Sequence, residues 1–312
     1  MTTIAFKSKK KSFKAIVPNL ICLFFALIML IFSNDMKSGV LYGINLSINT
    51  IVPTLFPFFI LSDLWSSQLS INKNSVIGSL FQRMFGINGI ASSAFLCGTV
   101  CGFPLGAKSA VDYYNAGVIN KKELERLCAL SSNPSCAFVI SGIGAGMYGD
   151  AKLGIILYFC VIFSSIFVGL ITKDKGYEIA ETGEISRQSF NLVDSIKNAG
   201  ISSIAVSSYI IFFSALISLW RSLCQNEYFN LLFSSFAEVS SACCIIKDWQ
   251  TTPTSFSLAL TAFALGFSGL SVHLQAFSFL PSFVSKKKFI LLKFMVGLLS
   301  FLLSFSIFSL IK

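Results

Sequence analysis

The chain has 312 residues, of which 54% are hydrophobic and 12% charged, with 33 phenylalanines and a mean hydropathy of +0.76. No soluble domain of this length carries such a composition, so the chain reads as a polytopic membrane protein. A formal charge of +10 would point to nucleic acid in a soluble chain, but here the basic residues sit in short runs between apolar segments, where they set membrane orientation.

Lys7, Lys9, Lys10, Lys11 and Lys14 make residues 1–14 a basic cytoplasmic tail, able to hold anionic lipid with about 1 kcal/mol per basic residue near the surface. Residues 15–32 are apolar except at Pro18-Asn19 and end at Ser33-Asn34-Asp35. This run is longer than a signal-peptide core and no small-x-small cleavage pattern follows, so 15–35 is expected to be an uncleaved first span. Further apolar segments lie at 39–65, 89–117, 128–147, 151–172, 195–221, 228–247, 255–281 and 289–311. Two of them, 89–117 and 228–247, hold the most glycine, serine or glutamate. They are expected to be re-entrant hairpins or broken half-helices, which leaves seven full spans.

Charge tests this topology. With the N-terminus inside, the cytoplasmic segments hold five basic residues in the tail, six from Lys73 to Arg126, four in 173–197 and four in 286–293. Lys37, Lys152, Arg221, Lys247 and Lys312 fall outside, so the positive-inside rule is obeyed even with Lys108 set aside as intramembrane. The same topology contains a repeat: span, re-entrant segment, span, span in 36–172, and again in 191–312. The acidic stretch 173–190, with Asp174, Glu178, Glu181 and Glu184, is the cytoplasmic linker. Three spans per unit invert the second copy. The expected fold is all-α, with two inverted repeats, each of three spans plus a re-entrant or broken helix, after one extra N-terminal span. Mirror-related halves of this kind can rock about one central site, a recurring transporter architecture.

Candidate site residues are those that break the apolar rule at membrane depth, where non-helical backbone and charge are tolerated only around an enclosed cavity. In the first half they are Asn45, Asn49, Pro53 and Pro57, then Gly102, Pro104, Gly106 and Lys108, and then Asn133-Pro134 before Gly142, Gly144 and Gly146. In the second half they are Glu238, Ser240 and Ser241, and the stretch 266–275 with Ser271, His273 and Gln275. Interrupted helices expose N–H groups that suit an anion and carbonyls that suit a cation. Lys108 would add a full positive charge there, or else snorkel to the interface. His273, the single histidine, suits either proton coupling or packing. Glu238 suits pairing with a cation or with Lys108, or a structural role.

Catalysis has little support. The stretch Gly102 to Ser109 mimics a phosphate-binding loop, but its spacing is wrong and no strand precedes it. No H-E-x-x-H, G-x-S-x-G or paired-carboxylate constellation occurs. The nine cysteines lack paired spacing and read as small buried hydrophobes. No metal, cofactor or enzymatic activity is therefore expected, while homo-oligomerisation stays open.

Four ordered motifs suggest a family: 51–59 (IVPTLFPFF), 101–108 (CGFPLGAK), 132–134 (SNP) and 269–275 (GLSVHLQ). Together they resemble the YlbJ-type sporulation integral membrane proteins, whose halves look like the gate modules of concentrative nucleoside transporters. The resemblance covers residues 36–311. It implies a protein of the outer forespore membrane that moves dipicolinic acid toward the developing spore. A small planar dianion would suit Lys108, helix N-termini and aromatic walls. The second half departs from the first at Glu238, so such a site would be asymmetric. A nucleoside-type permease and a non-transporting assembly factor of the spore envelope remain as alternatives.

Overall fold

The computed structural model describes residues 13–68, 75–173, 191–249 and 252–311. The basic tail up to residue 12 and the linker residues 174–190 lie outside the described residues, as do Lys73 and Lys312. Every regular element among the described residues is helical. Among the described residues, five helices are long and apolar enough to cross a membrane: Ser33–Leu61, Ala151–Ile171, Leu192–Leu223, Ser255–Phe279 and Lys286–Ile311.

The first helix, α1 (Phe13–Ile31), is 19 residues long with Pro18 inside it, within the length range of a membrane span. Next, α2 (Ser33–Leu46) passes through a π-wound turn, Ser47–Ile51, into α3 (Val52–Gln68). Pro53 lacks an N–H and its ring crowds the carbonyl four residues back, and the wider turn before it absorbs both effects. A short helix, α4 (Val76–Phe85), is capped by the Ser75 hydroxyl, which accepts the Gly78 N–H at 3.0 Å, and stops at Gly86 with φ 60°.

Two broken pairs follow. Helices α5 (Ser92–Val100) and α6 (Leu105–Asn115) are separated at Gly102-Phe103. The second pair is α7 (Lys121–Ser131) and the π-wound segment Ala137–Met147, separated by non-helical residues 132–135. The expected continuous span over 128–147 is therefore interrupted: Pro134 has no N–H to donate and disfavours helical backbone at Asn133. The half then closes with α8 (Ala151–Ile171).

From residue 191 a further set of helices follows. A long α9 (Leu192–Leu223) leads to α10 (Glu227–Ala237) and α11 (Val239–Trp249), hinged at Glu238. Then come α12 (Ser255–Phe267) and α13 (Gly269–Phe279), hinged at Ser268, and finally α14 (Lys286–Ile311). The last hinge contains no proline; Ser268 and Gly269 take left-handed backbone, φ 73° and 69°.

Packing joins the two halves. Both α2 and α3 lie along α9, α8 lies along α14, α7 touches α14, and α12 touches α8. Small residues permit the close approaches that membrane helices need: Gly266 of α12 faces Gly297 and Ser300 of α14. Helix α14 also sets an axis. The Ser255 hydroxyl at the start of α12 donates to the Phe308 carbonyl near the end of α14, and Trp249 stacks edge-on with Phe256. At the other end, about 39 Å away for 26 residues, Lys288 pairs with Glu125 at 3.1 Å and Lys286 lies over the Phe277 ring.

A candidate permeation site at the helix breaks

The chain where α7 unwinds finds partners for four successive backbone carbonyls, 130–133. Helix ends leave carbonyls without intrahelical partners, and buried ones must find others. The Leu130 oxygen accepts from Asn133 Nδ2 at 2.7 Å and from the Ser165 hydroxyl at 2.9 Å. The Ser131 oxygen takes the Asn133 N–H, and the Asn133 oxygen takes the Phe103 N–H at 2.9 Å. The remaining carbonyl, Ser132, accepts from Lys293 Nζ at 2.6 Å. Glycines let α5 and α6 reach this segment: a Cβ at Gly98 or at Gly106 would overlap the Ser131 carbonyl oxygen. Gly102 has φ 86°, and a Cβ there would stand 2.7 Å from the Ser135 nitrogen.

In the second half the corresponding polar group is Glu238, which is 1% exposed. Its carboxylate accepts the N–H of Ser240 at 2.9 Å and of Ser241 at 2.6 Å. It thus sits on the positive end of α11, where the helix dipole and free N–H groups stabilise an anion. The Ser241 hydroxyl in turn meets the Ser214 hydroxyl of α9 at 2.8 Å.

Two cavities flank this turn. An inner cleft is walled by Cys101, Gly102, Phe103 and Ser135 from the first half and by Glu238, Val239, Ser240 and Gln275 from the second, with Val206 and Ile210 of α9 alongside. Its volume is about 20 Å³, enough for a water molecule and too little for a planar organic acid. On the far side of residues 238–241 lies an open vestibule of about 780 Å³, reaching Ser214 and Ser241 at its floor and bordered by Asp35, Tyr42, Arg221, Glu227, Asp248 and Trp249. The first turn of α11 is the partition between them.

Of the residues singled out from the sequence, Gly102, Glu238, Ser240 and Gln275 line the inner cleft. Pro104 and Gly106 lie just beyond it, at the start of α6. Asn133 is buried behind the cleft wall. His273 is fully buried and its Nε2–H donates to the Phe267 carbonyl at 2.8 Å, closing the open end of α12; its Nδ1 and the Ser271 hydroxyl have no hydrogen-bond partner among the described residues. Asn45 and Asn49 are exposed. Lys108 is exposed on α6 and outside the cleft lining, and Glu238 spends its carboxylate on backbone rather than on Lys108.

Two cations of the described residues are taken inside, Arg126 with 3% exposure and Lys293 with 0%. In the sequence Lys293 counts among the cytoplasmic basic residues after the run 286–288. Its helical register carried a signal: Lys293 falls on one stripe with Phe289, Gly297, Ser300 and Ser304, the face of α14 that is buried.

No protein-family model matches the chain, and no solved structure does. Over 135 residues, 43% of this chain and 33% of the relative, it is 27% identical to the sporulation integral membrane protein YlbJ of Bacillus subtilis (strain 168). The matching stretch spans about a third of that relative's length. The apolar helices and the likeness to an integral membrane protein agree that this chain is an integral membrane protein.

Proposed function

We propose that the chain is a gated permease for a small organic solute, working in a membrane of the sporulating cell. The observation that carries this reading is the inner cleft: helix breaks from both halves meet around it, and one helical turn, 238–241, divides it from an open vestibule. A membrane protein with a purely architectural role has no use for buried non-helical backbone facing a cavity. We further read the halves as inverted repeats. Support comes from reciprocal packing: α7 against α14 is matched by α12 against α8, and α6 against α13 by α11 against the segment Ala137–Met147.

The solute we put forward is dipicolinate, moved across the outer forespore membrane, as the family resemblance implies. In sporulating cells lacking the protein, dipicolinate measured separately in mother cell and forespore should be trapped in the mother cell. Normal dipicolinate in the forespore would overturn the assignment. One observation favours a second reading, a neutral nucleoside-like solute: the side chains lining the cleft include a carboxylate, Glu238, and no cation. Uptake of dipicolinate and of uridine by liposomes containing the purified chain separates the two.

A further inference from the structure

Lys293 is buried at a place where the fold offers a cation little besides a carbonyl. It lies seven residues into α14, roughly 10 Å along the axis, and its ammonium donates to the Ser132 oxygen at 2.6 Å. No carboxylate of the described residues is within ion-pairing distance of it. A buried charge normally has a counter-ion or coordinates one. Here the compensation is the unwound carbonyl end of α7, the negative pole of that helix. In broken-helix transporters, carbonyls of this kind hold the coupling cation.

The surroundings of the ammonium are otherwise poor in charge. From α13, His273 lies close enough to feel it, with its Nε2–H engaged at Phe267 and its Nδ1 without a partner. Helix α12 has no titratable side chain. On α7, Glu123 accepts the N–H groups of Asn88 and Asn120, Glu125 is paired with Lys288, Arg126 donates to the Gly169 carbonyl, and Cys128 points its thiol at the Ala107 carbonyl. Lys121 and Lys122 stand exposed at its start. On α8 the candidates are Lys152, exposed at its start, Tyr158, whose hydroxyl donates to the Thr99 carbonyl, and Cys160.

We propose that Lys293 is the built-in coupling cation of the pathway: its ammonium occupies the carbonyl site that a sodium ion would otherwise fill, and solute movement is tied to release and recapture of its proton. The inference rests on the permease reading above. In the step, Lys293 –NH₃⁺ becomes –NH₂ and the proton leaves to the aqueous side that the open gate faces. The neutral amine holds the Ser132 carbonyl less strongly than the charge-assisted bond did. Residues 132–135 are thereby freed, and Ser135, which these residues carry into the cleft wall, moves with them. Reprotonation restores the closed wall. With the ammonium on the Ser132 carbonyl, sodium is not expected to bind at that carbonyl.

Two readouts test this on the full chain in liposomes. The first is accumulation of dipicolinate and of uridine, driven either by a pH gradient or by a sodium gradient. For one proton per solute the pH gradient should give about tenfold accumulation per pH unit, and the sodium gradient none. Lys293→Gln should follow only the solute's own gradient. Lys293→Arg, whose guanidinium does not give up a proton, should not cycle. The second readout needs no solute: hydrogen–deuterium exchange of the 131–136 backbone, corrected for intrinsic pH dependence. Protection should fall with rising pH in the unaltered chain and stay flat in both variants. Sodium-driven accumulation, or a pH response that survives in Lys293→Gln, would overturn the proposal, as would pH-independent protection in the unaltered chain. Absent flux of both solutes with a normal exchange response would instead count against the permease reading for these solutes and leave Lys293 as the titrating latch.

Discussion

Replacing Gly98 or Gly106 with alanine tests whether the unwound segment is held as tightly as the geometry requires. Each Cβ would overlap the same atom, the Ser131 carbonyl oxygen, and each would also crowd the Ser131 carbonyl carbon, at 2.7 Å from Gly98 and 2.8 Å from Gly106. All of these are backbone atoms, so no side chain can rotate away, and the helices must part. Overpacking of a well-filled interior costs about 1–3 kcal/mol, and an unyielding backbone partner places these sites at the upper end, about 3 kcal/mol. Alanine returns up to about 1 kcal/mol of helix propensity inside α5 or α6, leaving a net loss of about 2 kcal/mol for either variant. Part of each cost is the same displacement of the Ser131 carbonyl, although the Gly106 Cβ would also meet the Gly98 Cα at 2.7 Å. The double variant should therefore lose less than the sum of the singles, by about 1 kcal/mol or more. Denaturant titration of the detergent-solubilised protein supplies the four stabilities of the cycle. Single losses below about 0.5 kcal/mol, or strict additivity, would refute the shared-carbonyl argument. Because Ser131 leads directly into 132–135, both singles should also slow solute uptake.

Other expectations follow from buried groups. Lys293→Met removes a charge-assisted bond of about 1.5–3 kcal/mol but also the several kcal/mol of desolvation that a buried ammonium carries. Thermal unfolding should then be unchanged or slightly raised while pH-driven uptake disappears; a loss above about 3 kcal/mol would make Lys293 a structural strut. Glu238→Gln leaves one acceptor oxygen for two N–H groups at the head of α11, so stability should fall by about 1 kcal/mol, and water accessibility of the 239–241 amides should rise in hydrogen exchange. Ser268→Gly relieves left-handed backbone worth about 1 kcal/mol while losing the hydroxyl bond to the Leu265 carbonyl. It should be nearly neutral in thermal unfolding, whereas Ser268→Val should be destabilised by about 2 kcal/mol or more.

Much of the fold could be read from local chemistry. Glycine and proline at Gly102, Pro104 and Pro134 mark breaks because they act on the backbone within a few residues, and the structure breaks its helices beside each of them. The break at Ser268 shows the limit. Its neighbours Gly266 and Gly269 flag the region, but a serine in left-handed backbone is imposed by the close approach of Gly269 to the Glu238 turn. The candidate site was legible in the same partial way. Gly102, Glu238 and Gln275 stood out as polar or flexible residues in apolar surroundings, while the aliphatic wall from α9, Val206 and Ile210, had nothing to distinguish it from any other buried stretch.

Charge divides the two sources of information most clearly. Composition and hydropathy are sums over the chain, so the sequence alone determined an all-helical membrane protein and several of its helix breaks, but not the number of its spans. Lys108 and Lys293 are alike at that level, each a lysine near the end of an apolar segment. Only the tertiary structure decided between them. Helix α6 turns its small residues Gly106, Ala107 and Ala110 inward and leaves Lys108 exposed, whereas α14 turns Lys293 into the interior against a carbonyl 161 positions away in the chain. Whether a charge is buried depends on which helical face finds a partner, and that partner belongs to the other half of the molecule.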